Sequence, residues 1–353
     1  MARTFHPLRV AEIRKETADT VSIALDVPAE LADAYRFTPG QFLTFRVDGP
    51  GGRVDRSYSI CSTPRDGELR VLVKRLEGGV FGEHAHTSLA VGDELATSEP
   101  QGRFTVPLDP AHEKAYLAIA AGSGISPVYS VVRSILDGEP RSRVTLLYGN
   151  RGPSTVIFRD RLADLKDQWL DRFQLVHVFS REPQEAAALN GRLTTDKVRK
   201  LGEQLIDLSS YDDAFVCGPE PMTLEVRQAL IDLGIPPRHV HVELYGSHTP
   251  KPVRNDPGGA DEVRLDVTVG GIRRMVVGGP GETILDAARA AGLDVPFSCT
   301  GGVCATCRAK VVTGTCAMAV NYSLEPWELE AGFVLTCQAS PTSPAITVDY
   351  DAV

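Results

Sequence analysis

The sequence has no apolar run long enough to cross a membrane, and its opening stretch, MARTFHPLRVAEIRKE, lacks the apolar core of a signal peptide. It also has no excess of positive charge. The net charge is −9, whereas proteins that bind nucleic acid carry basic patches. The seven cysteines are an odd number without the spacing of a disulfide framework. These absences predict a cytoplasmic protein that binds neither nucleic acid nor a membrane.

Four of the cysteines form a pattern near the end of the chain. Cys299, Cys304 and Cys307 stand at the spacing C-x4-C-x2-C in the run PFSCTGGVCATCRAK, and Cys337 follows later. Plant-type ferredoxins hold a 2Fe–2S cluster with this arrangement. Zinc also takes four thiolates, but zinc modules usually pair two short C-x2–4-C knuckles. The pattern therefore favours a 2Fe–2S cluster over zinc.

The first part of the 353-residue chain, residues 1–107, contains short strand-like runs separated by Gly and Pro turn signals. The runs are rich in Val, Ile, Leu, Phe and Thr. Six or so strands at this spacing predict a small antiparallel barrel. The clearest runs are Leu8–Glu12, Thr20–Asp26, Gln41–Val47, Asp55–Ser59 and Glu68–Leu76.

Strand-like and helix-like runs alternate through residues 108–245. Ala115–Ala120 is continuously apolar, which is typical of a strand buried on both faces, and Pro127 is expected to open a helix. This alternation predicts an α/β domain with a doubly wound parallel sheet. The later runs are Val144–Tyr148, Ser154–Trp169, Phe173–Phe179, Thr194–Leu205, Ala214–Cys217, Glu220–Leu233 and His239–Leu244.

Residues 246–262 are rich in Pro, Gly and Asp, and this composition predicts a linker. Residues 263–353 then resume with two short strands, Arg264–Val269 and Arg273–Val277. A helix is expected at Thr283–Ala291, with Thr283 as its N-cap, before the cysteine loop.

Three short motifs lie where the predicted strands end. Arg56-Ser57-Tyr58-Ser59 offers a cation for a pyrophosphate, a ring to pack on another ring and a hydroxyl to hydrogen-bond a ring nitrogen. Gly122–Pro127, read GSGISP, presents backbone N–H groups at a helix start, where phosphates bind, although a purely structural turn is the alternative. Cys217-Gly218-Pro219 ends a later strand at the same sheet edge, where a buried inert cysteine is the alternative.

The order R-x-Y-S, GSGISP, CGP resembles that of the ferredoxin–NADP reductase family over residues 1 to about 245, and the tail resembles a plant-type ferredoxin. Bacterial oxygenase reductases are similar in having the flavin domain first and the ferredoxin last. The resemblance implies a multidomain protein. It would have an antiparallel β-barrel that binds FAD (1–107), an α/β parallel-sheet domain that binds NADP (108–245), a linker (246–262) and an α+β ferredoxin-like β-grasp domain (263–353).

The resemblance also implies site residues. FAD contacts would come from Arg56, Tyr58, Ser59, Val73, Lys74, Arg75, Gly79, Phe81 and Gly82, with Tyr58 packed on the isoalloxazine. Gly82 departs from the plant-type reductases, which have serine there. Nicotinamide-nucleotide contacts would come from Gly122, Ser123, Gly124, Pro127, Arg151, Ser180, Arg181, Arg192, Cys217, Gly218 and Tyr245. Ser59, Cys217 and Glu243 would be catalytic, and Cys299, Cys304, Cys307 and Cys337 would hold the cluster. Tyr245 ends the chain in plant-type reductases but not here, so its stacking role does not carry over directly.

The implied activity is an electron relay. A nicotinamide gives up two electrons as a hydride, a 2Fe–2S cluster accepts one, and a flavin handles both numbers, so FAD must stand between NADPH and the cluster. The chain lacks the two Glu-x-x-His motifs of a di-iron site, so oxygen chemistry must occur on another protein.

Four runs are similar to the reductase subunits of di-iron oxygenases: YGNR (148–151), GGVCATCR (301–308), NYSLEP (321–326) and ELEAGFVLTCQ (328–338). They imply a separate di-iron oxygenase partner, the oxygenase component of a multicomponent monooxygenase, with phenylacetyl-CoA as its substrate. The rim of the cluster loop, 300–306, is expected to dock on it, with Glu325, Glu328 and Glu330 as a solvated acidic stretch that steers the encounter. A Rieske-type hydroxylase or another di-iron monooxygenase remains an alternative partner, and a redox-sensing or scaffold protein with a zinc-bearing tail is an alternative function.

Overall fold

The computed structural model describes residues 4–49, 52–245, 262–279, 281–297, 300–302 and 305–352. The chain forms two compact units, one spanning His6–Tyr245 and one containing the C-terminal residues. Apart from Glu262, the predicted linker lies outside the described residues. None of the helices described is both long and apolar enough to cross a membrane.

The first unit begins with a six-stranded sheet in the order β4-β3-β6-β1-β2-β5. The pairs β1–β2, β2–β5, β3–β4 and β3–β6 are antiparallel, and the two outer strands, β4 and β5, contact each other. Fully buried Leu8, Ile23, Leu43 and Phe45 fill its core. The predicted antiparallel barrel is confirmed. Its elements are β1 Phe5–Thr17, β2 Thr20–Asp26, β3 Phe42–Gly49, β4 Gly52–Ser59, β5 Leu69–Lys74, α1 Val80–Thr87 and β6 Glu94–Ser98.

The same unit continues with a five-stranded parallel sheet in the order β11-β10-β7-β8-β9. Helices connect successive strands, so the carboxyl ends of all five strands meet at one edge. The predicted α/β domain is confirmed. Its strands are β7 Ala115–Ala121, β8 Arg143–Asn150, β9 Phe173–Phe179, β10 Asp213–Pro219 and β11 Val240–Tyr245. Its helices are α2 Ile125–Gly138, α3 Arg159–Gln168, α4 Thr195–Gln204 and α5 Glu220–Asp232.

Two helix starts differ from the sequence prediction. Helix α2 begins at Ile125, because the 3-10 turn Gly122–Gly124 runs directly into it, and Pro127 lies within its first turn, where a missing N–H costs nothing. Helix α3 begins at Arg159 and not at Ser154. Phe158 has a left-handed φ of 59°, which breaks any helix that would run through it.

The second unit is a mixed five-stranded sheet in the order β13-β12-β18-β14-β16, with α6 beside it and β15 paired to β17. Strands β12 and β18 are parallel, and the other pairs are antiparallel. As predicted, Thr283 caps α6: its Oγ1 accepts a hydrogen bond of 3.1 Å from the N–H of Asp286. The elements are β12 Val263–Val269, β13 Ile272–Gly278, α6 Ile284–Ala290, β14 Arg308–Thr313, β15 Cys316–Met318, α7 Pro326–Glu330, β16 Phe333–Leu335, β17 Ala339–Pro341 and β18 Ala345–Asp349.

Candidate flavin, nucleotide and iron–sulfur sites

The three predicted catalytic residues lie together where the barrel meets the parallel sheet. Ser59 closes β4, is 2% exposed, and its Oγ donates a hydrogen bond of 2.6 Å to Oε2 of Glu243 on β11. Cys217 is fully buried on β10 and stands directly opposite Glu243 in the parallel register. One hydroxyl, one thiol and one carboxylate therefore meet at the carboxyl edge of the sheet.

Two serines that the sequence analysis missed hold the barrel against helix α2. The Oγ of Ser126 donates to the carbonyl of Ser59 at 2.9 Å, and the Oγ of Ser130 donates to the carbonyl of Ser62 at 2.6 Å. Both serines are buried. Residues four apart share one face of a helix, so the spacing of these two serines was the available signal.

The GSG turn approaches strand β10 very closely. A Cβ at Gly124 would lie 2.1 Å from the carbonyl oxygen of Cys217, so no other residue fits there. Gly122 has a φ of +54°, and its carbonyl accepts a hydrogen bond of 3.0 Å from Tyr148 Oη. Ser123 between them is half-buried. The turn and the start of α2 thus form a tight backbone cradle, the arrangement that suits a phosphate or a flat ring.

The region between the end of β4 and the turn Gly122–Gly124 is called the crevice below. Tyr58, one residue before Ser59, lies on its barrel side. Its ring centroid is 5.2 Å from that of Phe81 and 5.8 Å from that of Phe45. Burial raises the pKa of Tyr58 to about 12, so the phenol is neutral at physiological pH. Arg56 shares the same face of β4, because side chains alternate along a strand, and it is exposed.

The remaining predicted flavin residues lie on β5 and at the start of α1. Val73 is buried, Arg75 is exposed, and Lys74 forms an ion pair of 3.3 Å with Asp19. The N–H of Arg75 also donates a hydrogen bond of 2.8 Å to the carbonyl of Asp19, so the backbone at the end of β5 is tied to the residue before β2.

Gly79 is the N-cap of α1, and buried Phe81 and Gly82 lie in its first turn. A Cβ at Gly82 would lie 3.2 Å from the carbonyl oxygen of Lys74, so the serine of the plant-type reductases would be crowded here. The N-terminus of α1 still presents backbone N–H groups of the kind that bind phosphate.

The predicted nucleotide arginines come together at the ends of β8 and β9. The N–H of Arg181 donates to the carbonyl of Arg151 at 2.9 Å, and the N–H of Gly191, beside Arg192, donates to the carbonyl of Phe179 at 2.8 Å. All three arginine side chains are exposed, and within the described ranges none forms an ion pair. Ser180 is fixed by a hydrogen bond from its N–H to the carbonyl of Asn150 at 2.9 Å.

Two buried polar side chains at this edge were also missed. The side-chain amide of Asn150, at the end of β8, is 9% exposed, and its Nδ2 has no hydrogen-bond partner in the part of the chain that the structure describes. The same holds for the fully buried hydroxyl of Thr223 on α5. A buried donor without a partner is costly, and both residues lie near the sheet edge at which folds of this type bind ligands. The side chain of Tyr245, at the end of β11, lies outside what is described.

In the second unit, Cys307 and Cys337 are 3% and 5% exposed, whereas Cys299 and Cys304 lie outside the described residues. Thr336, next to Cys337, donates from its N–H and from its hydroxyl to the carbonyl of Cys307, at 3.2 and 2.9 Å. The segments that carry the two cysteines are thus fastened together, and neither thiol is in a disulfide.

The backbone of the cysteine loop is tightly curled. Thr300 and Ala305 have left-handed φ values of 53°, unusual for residues other than glycine, and Gly302 has a φ of 77°. The carbonyl of Gly302 accepts hydrogen bonds from the N–H of Tyr322 at 3.0 Å and from Ser323 Oγ at 3.3 Å. Buried thiols on a curled, anchored loop fit a 2Fe–2S cluster.

The expectation that Glu328 is a solvated docking residue is wrong. Its side chain is fully buried and forms an ion pair of 2.5 Å with Arg308, the residue after Cys307. Its second carboxylate oxygen accepts a hydrogen bond of 3.0 Å from the N–H of Glu325. A buried carboxylate needs such partners, and it also closes the capping box at the start of α7. Glu325 and Glu330 are exposed, as expected.

Comparison with known proteins gives three family matches along the chain. Residues 7–106 match the oxidoreductase FAD-binding domain, 118–228 the oxidoreductase NAD-binding domain, and 267–342 the 2Fe-2S iron-sulfur cluster binding domain. The chain is 43% identical to a 1,2-phenylacetyl-CoA epoxidase subunit from Escherichia coli (strain K12), over 99% of this chain and 98% of that one.

One further relative and one solved structure match nearly the whole chain. The chain is 34% identical to the ferredoxin reductase component of 3-ketosteroid-9-alpha-monooxygenase from Rhodococcus rhodochrous, over 97% of this chain and 96% of that one. Its fold is similar to that of phthalate dioxygenase reductase, with a TM-score of 0.57 and 24% identity over 98% of each chain. These matches confirm the predicted fold and the electron transfer from NAD(P)H through FAD and a 2Fe–2S cluster, and they argue against a zinc-bearing tail.

Proposed function

We propose that this chain, which belongs to the family of oxygenase reductases with FAD-binding, NAD-binding and 2Fe–2S domains, takes electrons from NADPH and delivers them to a di-iron oxygenase that acts on phenylacetyl-CoA. The observation that carries the partner assignment is the 43% identity over nearly the whole chain to the relative from the phenylacetyl-CoA epoxidase. The runs GGVCATCR and NYSLEP, which build and support the cluster loop, add to it.

The converging arginines support the choice of NADPH over NADH. The adenosine 2′-phosphate of NADPH is close to a dianion, and guanidinium groups recognise such phosphates with paired hydrogen bonds. Arg151, Arg181 and Arg192 project from backbone segments that hydrogen-bond to one another at the end of β8 and β9. The negative charge of Glu182 works against this preference. Its carboxylate lies beside Gly152, the residue after Arg151, where a Cβ would come within 2.7 Å of Oε2.

The residues of the crevice suit both cofactors. FAD and the 2Fe–2S cluster, when bound, divide the two electrons of a hydride donor into single electrons. Tyr58 would pack on the isoalloxazine, while Arg56 and the N-terminus of α1 would hold the pyrophosphate. Ser59 fixes the carboxylate of Glu243 beside Cys217, and the close approach of Gly124 to Cys217 leaves little room there for water.

Other parts of the assignment follow from the family pattern. We propose Cys299, Cys304, Cys307 and Cys337 as the four cluster ligands and keep the domain limits 1–107, 108–245, 246–262 and 263–353. The described cysteines form no disulfide, which is consistent with the proposed cytoplasmic location.

Reconstitution tests the proposal. The purified protein is mixed with the phenylacetyl-CoA oxygenase of the same organism, NADPH, oxygen and phenylacetyl-CoA, and epoxide is measured. We expect product whose rate depends on this protein, and slower turnover when NADH replaces NADPH. If the oxygenase works with an unrelated reductase but not with this one, the partner assignment is wrong.

The relative from Rhodococcus rhodochrous supports a second candidate partner. Its name links a reductase that aligns with nearly the whole of this chain to a different monooxygenase. Failure of the reconstitution would move a Rieske-type or another di-iron oxygenase to first place.

A further inference from the structure

The ferredoxin-like unit exposes an aromatic side chain close to its cluster loop. Trp327, on helix α7, is 60% exposed, and Leu329 on the same short helix is 43% exposed. Pro326 beside them is exposed as well. More than half of this indole is in water, and the electron relay from NAD(P)H to the cluster does not use it. Trp is among the residues that carry most binding energy at protein–protein interfaces, so an exposed indole marks a candidate contact.

Two sets of contacts fasten helix α7 to the cysteine loop, one from within the helix and one from the chain that precedes it. Glu328, within the helix, forms the buried ion pair with Arg308, the residue after Cys307. The chain that leads into the helix hydrogen-bonds to the loop carbonyl of Gly302 through Tyr322 and Ser323. A partner seated on Trp327 would therefore lie beside the loop from which electrons must leave.

The charges around Trp327 indicate what kind of partner fits. Glu325 and Glu330 lie near Trp327 in the sequence and are exposed, while the buried carboxylate of Glu328 is neutralised by Arg308. The rim, which has exposed Glu325 before the helix and exposed Glu330 at its last residue, is therefore acidic. A complementary surface has an apolar recess for the indole and basic side chains around it.

We propose that Trp327 is the anchor through which this unit docks on the terminal oxygenase, entering an apolar recess that basic side chains surround. The proposal rests on the proposed function, because it takes an oxygenase as the electron acceptor. A second copy of the chain fits less well. Stable dimers bury on the order of 1,200–2,000 Å², and an exposed indole on a five-residue helix supplies only the small contact of a transient encounter.

The test is Trp327→Ser, with Met275→Ser as the matched control. Met275 is 59% exposed on the edge strand β13 of the same unit, so both variants remove an equally exposed apolar side chain. Three rates are measured: dye reduction by NADPH, cluster reduction by NADPH in stopped flow, and oxygenase turnover at increasing oxygenase concentration. We expect Trp327→Ser to raise the KM for the oxygenase at least tenfold without changing the first two rates. Trp327→Phe should recover most of the loss, and Met275→Ser should resemble the wild type.

Each other outcome overturns the proposal in its own way. Slower cluster reduction in Trp327→Ser would mean that Trp327 serves electron entry from the flavin side. A change in sedimentation between the wild type and Trp327→Ser would assign the patch to a second copy. An unchanged KM would remove Trp327 from the interface. If the wild-type protein itself fails to drive the oxygenase, the proposed function falls and the docking proposal falls with it.

Discussion

The hydrogen bond from Ser59 to Glu243 makes a sharp prediction about hydride transfer. In Ser59→Ala the hydroxyl is lost, and the carboxylate of Glu243 loses a donor 2.6 Å away in a crevice where Ser59 is 2% exposed. A hydrogen bond to a charged group contributes roughly 1.5–3 kcal/mol, so the rate constant should fall about 10- to 150-fold if the bond is needed at the transition state. The nucleotide Kd should change little, because the phosphate cradle is untouched.

The assay is anaerobic stopped-flow bleaching of the flavin after mixing with NADPH. Ser57→Ala is the matched control, since its Oγ lies on the same strand but contacts Thr44 Oγ1 at 3.0 Å. Ser59→Thr keeps a hydroxyl and should recover part of the rate. A normal bleaching rate in Ser59→Ala, with FAD fully bound, would refute the role assigned to this contact.

Three further changes test other parts of the account. Arg181→Ala should raise the Kd for NADPH roughly 10- to 150-fold and leave that for NADH nearly unchanged, and equal losses in a binding titration would exclude 2′-phosphate recognition. Cys304→Ala should lose iron yet retain dye reduction by NADPH, and loss of dye reduction in the folded, FAD-loaded variant would contradict a linear relay. Asp213→Asn should lower the free energy of unfolding near neutral pH, measured with urea. Burial alone would raise the pKa of Asp213, but hydrogen bonds from His241 and His239 and the charge of Lys114 hold it well below 3.8. That stabilisation is present above the unfolded pKa and is lost as the pH falls below about 4, so the variant should approach the wild type in acid. If the difference in unfolding free energy between the variant and the wild type does not shrink as the pH falls below about 4, this role of Asp213 is wrong.

The regular elements were predictable because their patterns are local. The continuous apolar run at Ala115–Ala120 has one stable environment, a strand covered on both faces, and the alternation of strands and helices then determines the parallel sheet. The two misplaced helix starts, at α2 and α3, depend on backbone dihedral angles at Gly122–Gly124 and Phe158, which residue patterns do not report.

Site residues were predictable from the sequence only where the spacing of residues in a motif identifies the group that they bind. The cysteine spacing and R-x-Y-S identify cluster and flavin residues, but the hydrogen bond of Ser126 and the burial of the Asn150 amide arise only in the folded chain. Glu328 shows the same limit. Its sequence neighbours are acidic, which is typical of a solvated face, whereas the fold turns it inward onto Arg308.

The most direct test of the relay is freeze-quench electron paramagnetic resonance of the purified protein after anaerobic addition of NADPH. The account predicts that the flavin absorbance, followed in parallel, bleaches first and that the paramagnetic signal of a reduced 2Fe–2S cluster then appears. Metal analysis should give two irons per chain. In Cys304→Ala the flavin should bleach without that signal. A wild-type protein whose flavin is reduced by NADPH while its cluster stays oxidised, or whose tail contains zinc, would contradict the central claim.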